Sequence, residues 1–283
     1  MNSKFLTSLF FATFLPAATG AGGLLERQDC ESISAYDREN SLSFPERFAK
    51  MAHQREYCFD DGAACQVPLM KRVEDFYVVV RGERHFASDQ LSQVAGDALV
   101  NVAKQVLKTT GIRPLFTRPS GASNFAYLVF VDKEIANDRF DDYVTGWITP
   151  DSVAANADGK AELRRIFQNF LDVDQPCMVI NHLTDHNRIE RAQIWIRADL
   201  DEVQMRRCIA EEFYNSLGLS EGVEVGSIFD FRFSHGADDV ELSSFDLLLL
   251  KILYWKEIPI GSTRGQSVKS VERLLATDCK IKQ

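Results

Sequence analysis

Apolar residues recur along this chain at two periods, and the order of those periods predicts its elements. Phe76 to Val80 (F-Y-V-V-V) is an unbroken apolar run, the pattern of a strand covered on both faces. From Asp89 to Thr109 the period lengthens: Leu91, Val94, Ala95, Ala98, Leu99, Val102, Val106 and Leu107 trace one helical stripe, and Gly111 ends it. Asn124 to Val131 (N-F-A-Y-L-V-F-V) is a second buried strand. Strand, helix and strand at this spacing predict a parallel crossover unit. Ala161 to Leu171 reads as a helix with Leu163, Ile166, Phe167 and Phe170 facing inwards. Met178–Asn181 and Ala192–Ala198 are shorter strands. The latter alternates Ala192, Ile194 and Ile196 against Gln193, Trp195 and Arg197, which predicts one covered and one open face.

The most informative stretch runs from Met205 to Glu221 (M-R-R-C-I-A-E-E-F-Y-N-S-L-G-L-S-E). Asp199, with Glu202 three residues on, marks a helix start, and Gly218 marks its end. Met205, Ile209, Phe213 and Ser216 share its inner side, yet Glu212 projects from the middle of that side. A buried carboxylate costs several kcal/mol unless it is protonated, paired, hydrogen-bonded or bound to a metal. Glu211 and Asn215 lie four residues apart on the adjacent edge, where both can reach one ligand or simply meet solvent. Ser220 to Glu241 is an acidic connection, and Ser243 with Asp246 opens another helix (F-D-L-L-L-L-K-I-L-Y-W) that is apolar nearly all round. Pro259 and Gly261 stop it, and Val268 to Ala276 forms a last short helix.

The amino-terminal region changes the picture. Lys4, the apolar run Phe5 to Pro16 and the small residues Ala18, Gly20 and Ala21 read as a signal peptide over 1–22, too short for a membrane span. Residues 23–70 follow as an irregular extension with one helix, opened by Pro45 and lined by Phe48, Met51 and Ala52. Residues 71–283 then form the main domain. All six cysteines (Cys30, Cys58, Cys65, Cys177, Cys208 and Cys279) follow the signal segment. An even count in an exported chain predicts three disulfides in the periplasm or outside the cell. Cys208 is expected to pair with Cys177, pinning the helix to a strand, while the pairing of the other four stays open. A net charge of -9 excludes nucleic acid as a main partner, and no membrane anchor is expected once the signal is cleaved.

Ala210 to Leu219 (A-E-E-F-Y-N-S-L-G-L) resembles the active helix of zincin metallopeptidases of the matrixin-like metzincin type, which read H-E-x-x-H-x-L-G-L. S-I-F at Ser227 to Phe229 resembles the methionine turn of those enzymes. L-S-S-F-D-L-L-L-L-K-I-L-Y resembles their closing helix. The combination also resembles an exported bacterial family described only as a domain of unknown function, with E-E in place of H-E. The resemblance implies an α/β (α+β) fold: a mixed sheet with a backing helix, an active-type helix and a closing helix. It places Glu211 and Asn215 at two histidine positions, Glu221 at the third ligand position and Glu212 at the general-base position. Those ligands are all oxygen donors, weak for zinc and better suited to calcium, magnesium or manganese. A retained scaffold with replaced ligands implies a module that needs no cofactor and binds a peptide or protein in the former substrate cleft, with strand addition as the mode.

Other arrangements compete with that reading. Glu212 could serve as general base of a divergent hydrolase with a divalent metal, or the domain could be a structural part of the cell envelope. His182 and His186 (H-L-T-D-H) have the spacing of a helical metal pair but are placed in a polar turn. His235 joins them only if the acidic connection folds back. Asp230, Asp238, Asp239 and Glu241 lack an EF-hand pattern, and neither a phosphate-binding glycine loop nor a G-x-S-x-G elbow is present.

Overall fold

The computed structural model describes residues 24–54, 66–82, 86, 88–117, 123–136, 138, 140–144, 157–172, 175–220 and 241–279. The stretch read as a signal peptide, Cys58, Cys65 and most of the acidic connection, including Glu221 and His235, lie outside them. The chain is a mixed α/β protein. Its sheet has the order β2-β1-β3-β5-β4, built from β1 (Phe76–Arg81), β2 (Pro114–Leu115), β3 (Phe125–Val131), β4 (Cys177–Leu183) and β5 (Ile189–Arg197). β2, β1, β3 and β5 run parallel, and only β4, at one edge, is antiparallel. The expected crossover is present: β1 leads through α3 (Asp89–Thr110) to β3, and Gly111 closes α3 with φ 76°.

Each face of the sheet carries its own core. On one side α3, α6 (Glu202–Asn215) and α7 (Ser244–Leu253) pack over Val78, Leu128, Ile194 and Ile196. On the other, α4 (Phe140–Val144) and α5 (Ala157–Asp172) bring Phe140, Tyr143, Phe167 and Phe170 against Val129 and Trp195. β5 was expected to leave Gln193, Trp195 and Arg197 open. Instead Gln193 and Trp195 are fully buried, because the aromatic cluster of α4 and α5 covers that face. Local alternation reported polarity along β5 but could not report a second layer arriving from a separate segment.

The amino-terminal region holds two helices rather than the single one expected, α1 (Arg27–Glu39) and α2 (Phe44–His53). α1 escapes the periodicity test because only Ile33 and Tyr36 of its residues are buried, so no stripe exists to be read. It is fastened by other means. Cys30 is disulfide-bonded to Cys279, Lys251 Nζ pairs with Asp29 at 2.8 Å, and the Leu25 amide donates to Asp278 Oδ2. α2 packs on α8 (Arg264–Asp278), where Ser267 and Ser270 let the helices approach closely.

Between α2 and α8, His53 is buried with Nδ1 2.9 Å from the Val67 carbonyl and Nε2 2.9 Å from Ser267 Oγ. A carbonyl only accepts, so Nδ1 carries the proton and the serine hydroxyl donates to Nε2. Burial holds the imidazole pKa below its ordinary 6.5, with Arg264 adding to the effect. The unfolded chain therefore binds more protons than the native state as pH falls through 6.5, and stability is lost in that direction. His53→Gln should flatten this part of the stability–pH curve. Denaturant titrations of both proteins between neutral and mildly acidic pH check it; parallel curves would refute it.

Candidate functional site

α6 begins at Asp201, whose side chain accepts from the Gln204 amide. Asp199, read as the start signal, instead pairs with Arg197. Two to four turns on, Cys208, Glu211, Glu212 and Asn215 form a contiguous patch linked by spacings of three or four positions. The disulfide Cys177–Cys208 holds the start of that patch against β4, as expected. The other end is held by Asn181 of β4, whose Nδ2 donates to the Asn215 carbonyl at 3.0 Å.

Glu212 is 1% exposed, in keeping with its place on the inner side. Glu211 and Asn215 were equally open to a solvated reading, and the structure decides against solvent: they are 5% and 1% exposed. A helix edge is exposed only if nothing lies against it, and here α6 is buried on nearly every side. Glu211 makes no hydrogen bond or ion pair to another described residue. Both polar atoms of the Asn215 side chain, and Oδ1 of Asn181, are buried without a hydrogen-bond partner. An unsatisfied buried amide costs about 1–3 kcal/mol per group, which a native protein rarely retains without use.

The turn that follows α6 is braced from four directions. Arg72 Nε donates to the Ser216 carbonyl at 3.2 Å, and Tyr254 Oη to that of Leu217 at 3.2 Å. Ser220 donates through both N and Oγ to the Met51 carbonyl at 2.9 Å. Gly218 sits at φ 112°, where a Cβ would collide with the Met70 carbonyl oxygen. Only glycine allows this approach. The Leu69–Arg72 strap thus threads beside the end of α6, and Lys71 Nζ donates at 2.8 Å to the carbonyls of both Leu253 and Ile258 at the end of α7.

This strap is what sequence reasoning missed. It straddles the boundary read between the extension (23–70) and the main domain (71–283), and no periodicity marks residues whose work is to cap two distant helices. Arg72 is fully buried, and burial lowers its pKa to about 10; Lys71 is pushed down to about 8 for the same reason. Both remain cations at neutral pH and sit where a helix carboxyl end favours them. Behind α6, buried Tyr214 has its pKa pushed up, first by burial and then by the buried Asp246 of α7, while Arg47 of α2 opposes the shift.

The histidines fall elsewhere. His182 is on β4, not in the turn, because the strand runs two residues further than its apolar run. It shares the face of Met178 and Ile180, opposite α6, and lies across from Arg191. Burial, then Arg191, lowers its pKa. His186 is exposed in the turn beyond. Among the described residues no three His, Cys, Asp or Glu side chains are grouped to hold a metal ion.

Residues 43–273 match the family described as Protein of unknown function (DUF2927). The chain belongs to that family. No curated protein and no solved structure matches it. The DUF2927 region takes in α2, the whole sheet, the Leu69–Arg72 strap and the α6 patch with Cys177–Cys208, whereas Cys30 and Cys279 lie on either side of it. The two disulfides among the described residues fit an oxidising, extracytoplasmic environment. No described helix is long and apolar enough to cross a membrane.

Proposed function

We propose that this DUF2927 chain is an exported, non-catalytic module of zincin-like architecture, periplasmic or secreted, that binds an extended peptide or protein segment along β4. The observation that carries the reading is the position of β4, an antiparallel edge strand held beside the polar patch of α6. Arg197 N donates to the Pro176 carbonyl, so alternate residues Met178, Ile180 and His182 exchange bonds with β5. The N–H and C=O groups of Val179 and Asn181 therefore point away from β5, as strand addition requires. The element order of strand, helix, strands, helix and closing helix supports the zincin-like part of the reading, as does the burial of Glu212 next to the sheet. Glu211 and Asn215, standing where such enzymes carry histidines, are oxygen donors that do not suit zinc, and no step runs through that metal.

Val179→Pro removes one outward N–H while sparing the β4–β5 ladder, since proline is tolerated on an edge whose N–H faces outwards. It should abolish retention of extended peptides from a displayed library while the far-ultraviolet spectrum stays native. Undiminished peptide capture by this variant would end the strand-addition reading.

A divergent hydrolase is the second reading, favoured by the burial of a glutamate at the general-base position. It requires a divalent metal held by oxygen donors. Elemental analysis of untagged protein and cleavage assays with calcium, magnesium or manganese separate the two: metal-dependent peptide cleavage lost in Glu212→Gln would install the enzyme reading in place of the binding one. A structural role in the cell envelope predicts neither peptide capture nor cleavage.

A further inference from the structure

The α6 patch has the wrong balance of polar atoms for a finished interior. Asn215 is 1% exposed with Oδ1 and Nδ2 both lacking partners, and Asn181 Oδ1 is buried in the same condition. Asn181 is the half-buried member on the edge strand, so the patch opens towards β4 rather than towards the core. Its Nδ2 bond to the Asn215 carbonyl fixes the amide orientation and leaves its carbonyl oxygen as the spare atom. Glu211, one turn before Asn215 and 5% exposed, adds a carboxylate with no hydrogen-bonded partner among the described residues. The patch thus carries two amide carbonyl oxygens and a carboxylate against one spare amide N–H group, Asn215 Nδ2, so acceptors outnumber donors. The complement of such a set is a positively charged N–H donor.

We propose that this patch receives the lysine or arginine side chain of an extended peptide added to β4. The inference rests on the strand-addition reading and sharpens it. The side chain of Asn181 faces α6, as do those of Cys177 and Val179. Directly opposed residues of paired strands put their side chains on one face, about 4.5–5.5 Å apart at Cβ. A ligand residue opposite Asn181 therefore projects towards α6, at the height of Asn215 and Glu211. An ammonium or guanidinium there supplies donors to acceptors that otherwise stay empty, and its charge is balanced by Glu211. His182 and Arg191 lie on the other face and take no part.

The test uses capped octapeptides of alternating valine and threonine, with one central position occupied by lysine, arginine, norleucine or glutamate. Affinities for the full-length oxidised protein are measured at low and moderate salt. The lysine or arginine peptide should bind at least about tenfold more tightly than the norleucine peptide, with the glutamate peptide weakest. The advantage should shrink with added salt. Glu211→Gln, nearly isosteric, should reduce the basic-over-norleucine ratio several-fold.

Equal binding of all four peptides would overturn the basic-residue proposal and leave strand addition standing. Binding of none would remove strand addition itself. A basic preference that survives both Glu211→Gln and Asn215→Leu would place the cation elsewhere and overturn the assignment to this patch.

Discussion

Arg72→Met should cost roughly 3–5 kcal/mol of stability, among the largest losses a single substitution can cause here. The guanidinium is fully buried and has no carboxylate beside it among the described residues. It donates to the carbonyls of Ser216, Phe125 and Glu190 and to Asn124 Oδ1, at 2.9–3.3 Å, and lies 4.2 Å over the Phe76 ring. Two effects oppose each other when it is removed. Relief of the buried charge is favourable, and a methionine fills much of the volume. Against this, three carbonyls and an amide oxygen, at the end of α6, on β5 and at the start of β3, lose their donor at once, and each unsatisfied group costs about 1–3 kcal/mol. Four orphaned acceptors outweigh one desolvated cation, so the sign is destabilising. Arg72→Lys should recover only a minor part, because one ammonium cannot span acceptors that a planar five-donor group reaches together. Denaturant titration of the three proteins checks this. A methionine variant as stable as the wild type would mean that desolvation had cancelled the bonding.

Replacing Cys30 and Cys279 together with serine should cost about 2–5 kcal/mol, and the loss should be confined in space. The bond closes a loop with a sequence separation of 249, so it restricts nearly the whole unfolded chain. Loop-closure entropy alone puts the effect near the upper end. Two attachments of α1 survive the change, the Lys251–Asp29 pair and the Leu25–Asp278 bond, and they hold the loss below the entropic limit. Both cysteines lie beyond the span of the family match, so the sheet and the α6 patch should persist. Hydrogen exchange should rise over α1 and the last turn of α8 and stay unchanged in β3 and β5. Exchange rising equally in the central strands would show that this cross-link supports the whole fold.

How legible each part was depended on whether its cause was local. α3 announced itself by a stripe and a terminal glycine, β1 and β3 by unbroken apolar runs, and α7 by its Ser243–Asp246 capping pair. The pairing of Cys177 with Cys208 was legible because each sat on a recognisable element whose packing put them together. α1 was not, since covalent and ionic ties to distant segments replace the apolar face that a sequence displays. For the same reason the burial of Gln193 and Trp195 was out of reach, because α4 and α5 supply their cover.

The candidate site divides along the same line. Glu212 stood out because a carboxylate interrupts an apolar face, a conflict visible within five residues. Asn181, Arg72 and Lys71 gave no such sign. Their roles exist only where β4, the Leu69–Arg72 strap and the helix ends meet, and a hydrogen bond between residues 34 or 144 positions apart leaves no periodic trace. By itself the sequence determined the helices and strands that bury their own apolar faces, and the glutamate at odds with one of them. Only the tertiary structure decided which polar groups were left without partners, because satisfaction is a property of what surrounds a group and not of its neighbours along the chain.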